Sequence, residues 1–217
     1  MAKQNDLLSE NDTKELSKLL KGLFGSDDLF TDFKRKYKPI PLKKKGDVEY
    51  EVQWHTTAIE KDGHKIVHLA QNRFDERVMI YQLFYNDGMD DQNVHLRVKV
   101  ISKSGVRVPD SNVHLHVFTE SKHMKIADIK IEGDRVNRGY GSILMEGIMK
   151  LVDQMSIRFI TGWISAVDWD HIDRLEHFYR KFGFECNLDH ESKYGTISWI
   201  NRALGVTRED LNQLLGR

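Results

Sequence analysis

Residues 129–142 read IKIEGDRVNRGYGS, and residues 178–184 read FYRKFGF. The first stretch predicts an apolar strand that runs into Gly139 and Gly141, where a helix begins at once. Glycines at a strand-to-helix turn let backbone N–H groups close around an anion, and the helix adds the positive end of its dipole. The pattern indicates a phosphate-bearing ligand, and a tight turn with no ligand is the alternative.

The glycine turn differs from two common nucleotide-binding motifs. It lacks the GxxxxGK[ST] pattern of a triphosphate loop, and it lacks the third glycine of a dinucleotide fingerprint. The second stretch narrows the choice, because Asp173 to Phe182 has the apolar spacing of an amphipathic helix. That helix is predicted to end at Gly183, which suits a left-handed C-terminal cap. The order and spacing of these elements carry more information than either motif alone.

This order of elements, from roughly Lys125 to Ile200, resembles the GNAT superfamily of acetyl-CoA-dependent N-acetyltransferases. The resemblance implies an α/β (α+β) fold with a mixed, mostly antiparallel central sheet flanked by helices. This chain would add an N-terminal helical arm and extra strands. The resemblance further implies acetyl-CoA as cosubstrate, no metal, and transfer of the acetyl group to a primary amine, small-molecule or peptide, by direct attack.

The resemblance also implies roles for individual residues. Ile129, Lys130 and Ile131 match the strand whose main chain pairs with the pantetheine arm of coenzyme A. Tyr179 matches the tyrosine that protonates the departing thiolate; without the resemblance, a core tyrosine is the simpler interpretation. The pyrophosphate loop is matched by Asn137, Arg138, Gly139, Tyr140, Gly141 and Ser142.

The chain departs from the family pattern at three positions. Val136 stands where Gln or Arg usually opens the loop, and Ile172 stands where an Asn often precedes the tyrosine. The predicted strand at 159–164 carries no acid that would serve as a base. Asp168 and Asp170 are alternative bases, although capping of the following helix is the simpler interpretation of both.

These departures keep a second class of function open, a non-catalytic coenzyme A-binding module that binds a macromolecular partner through its N-terminal arm. Residues 34–45 carry seven Lys or Arg and no acid. Nucleic-acid phosphates are conceivable ligands for such a run. A solvated connection between a helical arm and a sheet is the simpler interpretation.

Composition limits the remaining classes. The 217 residues carry 33 basic and 33 acidic side chains, so no global field draws the protein toward nucleic acid. A single cysteine, Cys186, excludes an internal disulfide and a Cys-based zinc site. His114 and His116 share one strand face, where a solvated surface is a simpler interpretation than a metal pair. The absence of a signal peptide and of a long apolar run predicts a cytoplasmic protein without a membrane span.

Three segments are predicted along the chain. Residues 1–45 form a helical, lysine-rich arm, residues 46–205 a GNAT-like acyl-CoA-binding domain, and residues 206–217 a C-terminal helix. Within the domain, residues 46–120 provide elaborated N-terminal strands and residues 121–200 the cofactor-binding half. The C-terminal helix is expected to pack on its own domain, with a second copy, and hence a homodimer, as the alternative.

The N-terminal half is predicted from hydrophobic periodicity. Two helices are expected in the arm, at Asp12–Phe24 and after Ser26. Three tryptophans are expected in the core of the sheet, namely Trp54, Trp163 and Trp199. Strands are expected at Val48–Trp54, Lys65–Ala70, Val78–Tyr85, Val94–Ile101 and Val113–Thr119.

Overall fold

A computed structural model describes residues 39–84, 92–130 and 138–216. The predicted helices of the N-terminal arm lie outside the described residues. Two of the predicted cofactor-binding residues, Ile131 and Asn137, also lie outside them. The helices are α1 (Val48–Lys61), α2 (Tyr140–Met155), α3 (Ile172–Lys181) and α4 (Arg208–Leu214). The strands are β1 (Lys65–Gln71), β2 (Arg77–Leu83), β3 (Asn93–Ser102), β4 (Gly105–Val106), β5 (Ser111–Phe118), β6 (His123–Lys130), β7 (Phe159–Ile164), β8 (Glu185–Asp189) and β9 (Tyr194–Ile200).

The strands form one sheet in the order β1-β2-β3-β5-β6-β7-β9-β8, with β4 paired to the end of β3. Every neighbouring pair is antiparallel except β6 and β7, which are parallel. A parallel pair needs a long crossover, and α2 supplies it. The predicted mixed, mostly antiparallel sheet flanked by helices is confirmed.

The main core lies between one face of the sheet and helices α2 and α3. Apolar residues recur on α2 at helical spacing, and this stripe packs against alternate residues of the strands. The α2 residues that are buried there include Tyr140, Ile143, Leu144, Met145, Ile148, Leu151 and Val152. This packing fixes the start of α2 relative to the end of β6, which is where the predicted loop lies.

The segment Val48–Trp54 was predicted as a strand, and this prediction is wrong because it begins helix α1. The Asp47 side chain caps the helix by accepting a hydrogen bond from the Tyr50 N–H at 2.9 Å. In sequence, the segment fits the period of a strand equally well, because its apolar residues alternate at Val48, Tyr50, Val52 and Trp54. In the helix, Val52 packs into a second, smaller core, whereas Tyr50 and Trp54 lie exposed on the outer side.

The tryptophan predictions divide in the same way. Trp199 is partly buried and packs against the main core. Trp54 and Trp163 are 41% and 65% exposed, so their assignment to the core is wrong. The Trp163 ring is instead covered on one side by the ammonium group of Lys125, 3.8 Å from the ring centroid.

The C-terminal helix packs on its own domain, as expected. Thr207 caps α4 through a capping box with Asp210. Leu211 is fully buried beside Phe159 and Val206. Leu214 packs against the same cluster, whereas Leu215 is 40% exposed.

Gly162 lies at a point of close approach between strands. A Cβ atom on Gly162 would stand 3.0 Å from the Ile197 side chain and 3.3 Å from the carbonyl oxygen of Ile126. We expect Gly162→Ala to lower the free energy of unfolding by about 1–3 kcal/mol, a typical cost of overpacking. Urea denaturation checks this, with Thr196→Ala on β9 as a control that shortens a half-buried side chain. Wild-type stability of Gly162→Ala would contradict the close approach.

Candidate active site

Strands β6 and β7 separate within the sheet. They pair over only four positions, from His123 opposite Phe159 to Ile126 opposite Gly162. Beyond this point, residues 128–130 pair with β5 alone, and the end of β7 pairs with β9 alone. Among the described residues, one edge of β6 therefore has no strand partner. Backbone groups along such an edge are available to pair with an extended ligand.

A β-bulge accompanies the separation. On β5, His114 pairs with Asp128 and Leu115 pairs with Ile126, so Ala127 is an extra residue on β6 without an opposite partner. A bulge bends its strand and increases the local twist, and bulges are frequent beside active sites. Because of the extra residue, Ile129 returns to the main core, where it is partly buried.

The start of α2 has the properties of an anion-binding site. Its N-cap residue is Gly139, with φ +85°, which is the left-handed region that favours glycine. No side chain of the described residues caps this helix end, and its first turn carries no acidic residue. The backbone N–H groups of the first turn are thus free to bind an anion, aided by the helix dipole. Apart from its chain neighbours, a Cβ atom on Gly139 would meet no atom of the described residues within 4 Å.

Lys181 brings a cation to this helix end, and sequence reasoning did not single it out. It is the last residue of α3, and its amino group donates a hydrogen bond to Ser142 Oγ at 3.2 Å. Its position within FYRKFGF was visible in the sequence. Its proximity to the glycine turn depends on the packing of α3 beside α2, which the sequence pattern does not define.

Two of the predicted loop residues turn their side chains inward. Tyr140 is 1% exposed, and its hydroxyl donates a hydrogen bond to Glu76 at 2.5 Å. The guanidinium of Arg138 lies 3.6 Å from Glu76 and stacks over the ring of Phe74. The side chains of Arg138 and Tyr140 contact Glu76, so these two residues could contact an anion through their backbone N–H groups. The ammonium group of Lys181 lies at the same helix end.

Tyr179 is a buried residue of α3. It is 8% exposed, its ring packs against those of Phe178 and Phe184, and its hydroxyl has no hydrogen-bond partner among the described residues. Burial, followed by the Asp168 carboxylate and the Cys186 side chain, raises the pKa of Tyr179 to about 12. The hydroxyl therefore keeps its proton throughout the neutral pH range and has a free donor.

Asp168 and Asp170 were expected to cap the helix that carries Tyr179, and this expectation is wrong. The N-cap residue of α3 is His171, and no side chain caps this end. Asp168 lies in a preceding 3₁₀ helix, Ala166–His171, and accepts a hydrogen bond from the Ser165 hydroxyl at 3.1 Å. Its carboxylate acts on Tyr179 through the electrostatic effect on the tyrosine pKa.

The histidines of the sheet bond to their neighbours. The Nδ1 atoms of His95 and His114 lie 2.7 Å apart, and His116 Nδ1 lies 2.9 Å from the side-chain oxygen of Asn93. Within the described residues, no group of three or more His, Cys, Asp or Glu side chains is arranged to hold a metal ion.

The described part of the basic run is engaged locally. The ammonium group of Lys43 lies over the Trp54 ring, 3.8 Å from its centroid, and that of Lys44 pairs with Asp47 at 2.8 Å. These contacts agree with the simpler interpretation of this run as a connection.

None of the described helices has the length and apolar character that a membrane crossing requires.

Comparisons with known proteins were made for the whole sequence and for the fold. No protein-family model matches the sequence. A Bacillus subtilis (strain 168) relative with the name "Uncharacterized protein YocC" is 28% identical over 158 residues, covering 70% of this chain and 86% of the relative.

Solved structures with a similar shape include two GNAT proteins. The GNAT domain of S. lividans PAT matches with a TM-score of 0.46 and 9% identity, covering 62% of this chain and 96% of that domain. A GNAT family acetyltransferase from Elizabethkingia anophelis with acetyl-CoA bound matches with a TM-score of 0.42 and 8% identity, covering 57% of this chain and 98% of that protein.

The described topology gives the chain a GNAT-like fold. A strand, a glycine turn, a helix, a second strand and a second helix follow one another in the order that the sequence predicts, and the β8–β9 hairpin comes after them. The structure adds the bulge on β6 and the parallel pairing of β6 with β7. The fold that the sequence resemblance implied is confirmed.

Proposed function

We propose that this protein is an N-acyltransferase that moves an acetyl group from acetyl-CoA to a primary amine. The observation that carries the proposal is the separation of β6 and β7 in a sheet where the glycine turn starts the connecting helix α2. Together with the motifs quoted above, this combination supports an extended thioester ligand with a phosphate-bearing end.

The residues present fit such a ligand. The unpaired edge of β6 at residues 127–130 would receive the amide groups of the pantetheine arm, as an added strand does. The uncapped N–H groups of Tyr140, Gly141 and Ser142 would bind the pyrophosphate, with Gly139 giving the close approach that a side chain would block. Lys181 would add a positive charge at the same end.

The chemistry is one acyl transfer. Acetyl-CoA supplies an activated acyl carbon; the amine nitrogen bonds to this carbon, and the bond from carbon to sulfur breaks. The amine proton passes to water or to a nearby carboxylate, and the sulfur receives a proton from Tyr179, which regains one from solvent. The hydroxyl of Tyr179 makes no hydrogen bond to any described residue, so its proton is available for that donor role.

Transfer itself tests the proposal. The purified protein would be incubated with acetyl-CoA and a panel of amines: a polyamine, an aminoglycoside, an amino acid and a peptide with a lysine and a free N-terminus. We expect release of the coenzyme A thiol together with a product heavier by one acetyl group. Coenzyme A binding without any acetylated amine would favour the non-catalytic module instead.

Lys181→Gln is expected to weaken acetyl-CoA binding by roughly three- to tenfold, because an exposed charged hydrogen bond to phosphate is lost. The remaining affinity should also depend less steeply on salt concentration. Titration calorimetry at two salt concentrations measures both effects. Lys103→Gln, in the exposed turn after β3, removes the same charge from a side chain with no described contact to α2 and should bind like the wild type. Equal affinities for the two variants would remove Lys181 from the site.

A further inference from the structure

Glu76 is a buried carboxylate behind the glycine turn. It directly precedes β2 and is 4% exposed. Tyr140 Oη and Asn72 Nδ2 donate hydrogen bonds to its Oε2 atom at 2.5 and 2.7 Å. Its Oε1 atom lies 3.2 Å from a guanidinium nitrogen of Arg107 and 3.6 Å from one of Arg138. The carboxylate thus contacts three parts of the chain that are distant from one another in sequence, at Asn72, Arg107 and residues 138–140.

Asn72 completes the attachment. Its Nδ2 atom also donates to the backbone carbonyl of Arg138 at 3.1 Å. Its Oδ1 atom accepts hydrogen bonds from the N–H groups of Phe74 and Glu76, which closes the turn between β1 and β2. Arg138, before Gly139, is therefore held at its backbone carbonyl by Asn72 and at its guanidinium by Glu76. Tyr140, after Gly139, is held at its hydroxyl by Glu76.

The charge of Glu76 is stabilised in place. Burial alone would raise the pKa of Glu76, but the hydrogen bonds from Tyr140 and Asn72 and the positive charges of Arg138 and Arg107 outweigh it and lower the pKa. Glu76 is therefore a carboxylate at neutral pH. Removing this charge takes one counter-charge away from the guanidinium groups of Arg107 and Arg138.

We propose that Glu76 is a positioning residue for the anion-binding turn, acting through Tyr140 and Arg138 on either side of Gly139. This inference rests on the proposed function, in which that turn binds the coenzyme A pyrophosphate. Glu76 holds the two neighbours of Gly139, while the Cβ position of Gly139 itself lies more than 4 Å from every other described residue. With this anchor, the N–H groups of the first turn of α2 are aligned before the ligand arrives, which saves ordering entropy on binding.

The chain contains a matched control for this cluster. Asp110 is a buried carboxylate that accepts a hydrogen bond from the Tyr81 hydroxyl at 2.7 Å and pairs with Lys99 at 2.8 Å. Its partners lie on β2 and β3, away from the start of α2. Asp110→Asn and Glu76→Gln therefore make the same chemical change in two buried clusters, only one of which touches the glycine turn.

The experiment compares these two variants in coenzyme A affinity and in amide hydrogen exchange of residues 139–146. We expect Glu76→Gln to bind coenzyme A about tenfold more weakly and to exchange these amides about tenfold faster. Asp110→Asn should match the wild type in both. Tyr140→Phe keeps the ring and removes one hydrogen bond, so it should show a smaller loss of affinity, and it serves if Glu76→Gln does not fold.

The two readouts separate this inference from the proposed function. Wild-type protein that does not bind coenzyme A would refute the proposed function, and hydrogen exchange would still decide the role of Glu76. If the amides of residues 139–146 exchange faster in Glu76→Gln but not in Asp110→Asn, Glu76 positions the turn. Exchange and affinity that do not differ from Asp110→Asn would overturn it.

Discussion

Gly139→Asp is expected to abolish measurable binding of acetyl-CoA. Apart from its chain neighbours, no described residue lies within 4 Å of a Cβ atom on Gly139, so we expect the new side chain to project into the volume that the pyrophosphate would fill. Its negative charge would also repel phosphate at a helix end that carries no other acid in its first turn. We expect a loss of at least 100-fold, measured by titration calorimetry with the wild type and the variant at equal concentration.

Gly63→Asp is the control for this change. Gly63 follows α1 with φ +81°, close to the +85° of Gly139, and a Cβ atom there would also meet nothing within 4 Å. Both variants place the same charge on the same left-handed backbone, at a similar cost of about 1–2 kcal/mol. Gly63→Asp should therefore lose stability but bind acetyl-CoA normally. Retained affinity in Gly139→Asp would mean that the turn has no ligand.

Tyr179→Phe is expected to lower kcat by about 100-fold or more without changing the affinity for acetyl-CoA. General acid catalysis typically contributes a factor of this size, and the phenylalanine ring would keep the packing against Phe178 and Phe184. Because the hydroxyl bonds to no described residue, the variant should unfold at nearly the wild-type temperature. Steady-state kinetics with an acceptor amine, paired with calorimetry, separates the two effects.

Tyr81→Phe is the control, in which we expect reduced stability and an unchanged kcat. Tyr81 is 6% exposed, close to the 8% of Tyr179, but its hydroxyl donates a hydrogen bond to Asp110. Its loss should reduce stability by about 1–3 kcal/mol, because a charged acceptor is left with one partner fewer, while kcat stays at the wild-type value. A Tyr179→Phe enzyme as active as Tyr81→Phe would remove the hydroxyl of Tyr179 from the mechanism.

The C-terminal half was predictable because local signals there agree with the tertiary fold. The strand, glycine turn and helix around Gly139 and the helix that ends before Gly183 follow from period, caps and turn residues. Helix α1 was mispredicted because its alternating apolar residues fit two periods. The capping role of Asp47 and the burial of Ile59 two turns after Val52 favour the helix.

The details of the candidate site were less predictable. The separation of β6 and β7 is a matter of register between distant strands, which no local pattern defines. Glu76 and Asn72 lie in a short turn where polar residues usually face solvent, so nothing local distinguished them. The association of Lys181 with Ser142, 39 residues earlier, likewise depends on how α3 packs beside α2.

The measurement that tests the central claim most directly is a calorimetric titration of the wild-type protein with acetyl-CoA, with coenzyme A and ATP as comparisons. The fit of the glycine turn, Lys181 and the β6 edge predicts micromolar affinity for both coenzyme A species and much weaker binding of ATP, which lacks the pantetheine arm. No detectable binding of acetyl-CoA, or equal affinity for ATP, would contradict the proposal that this GNAT-like fold holds an acyl-CoA.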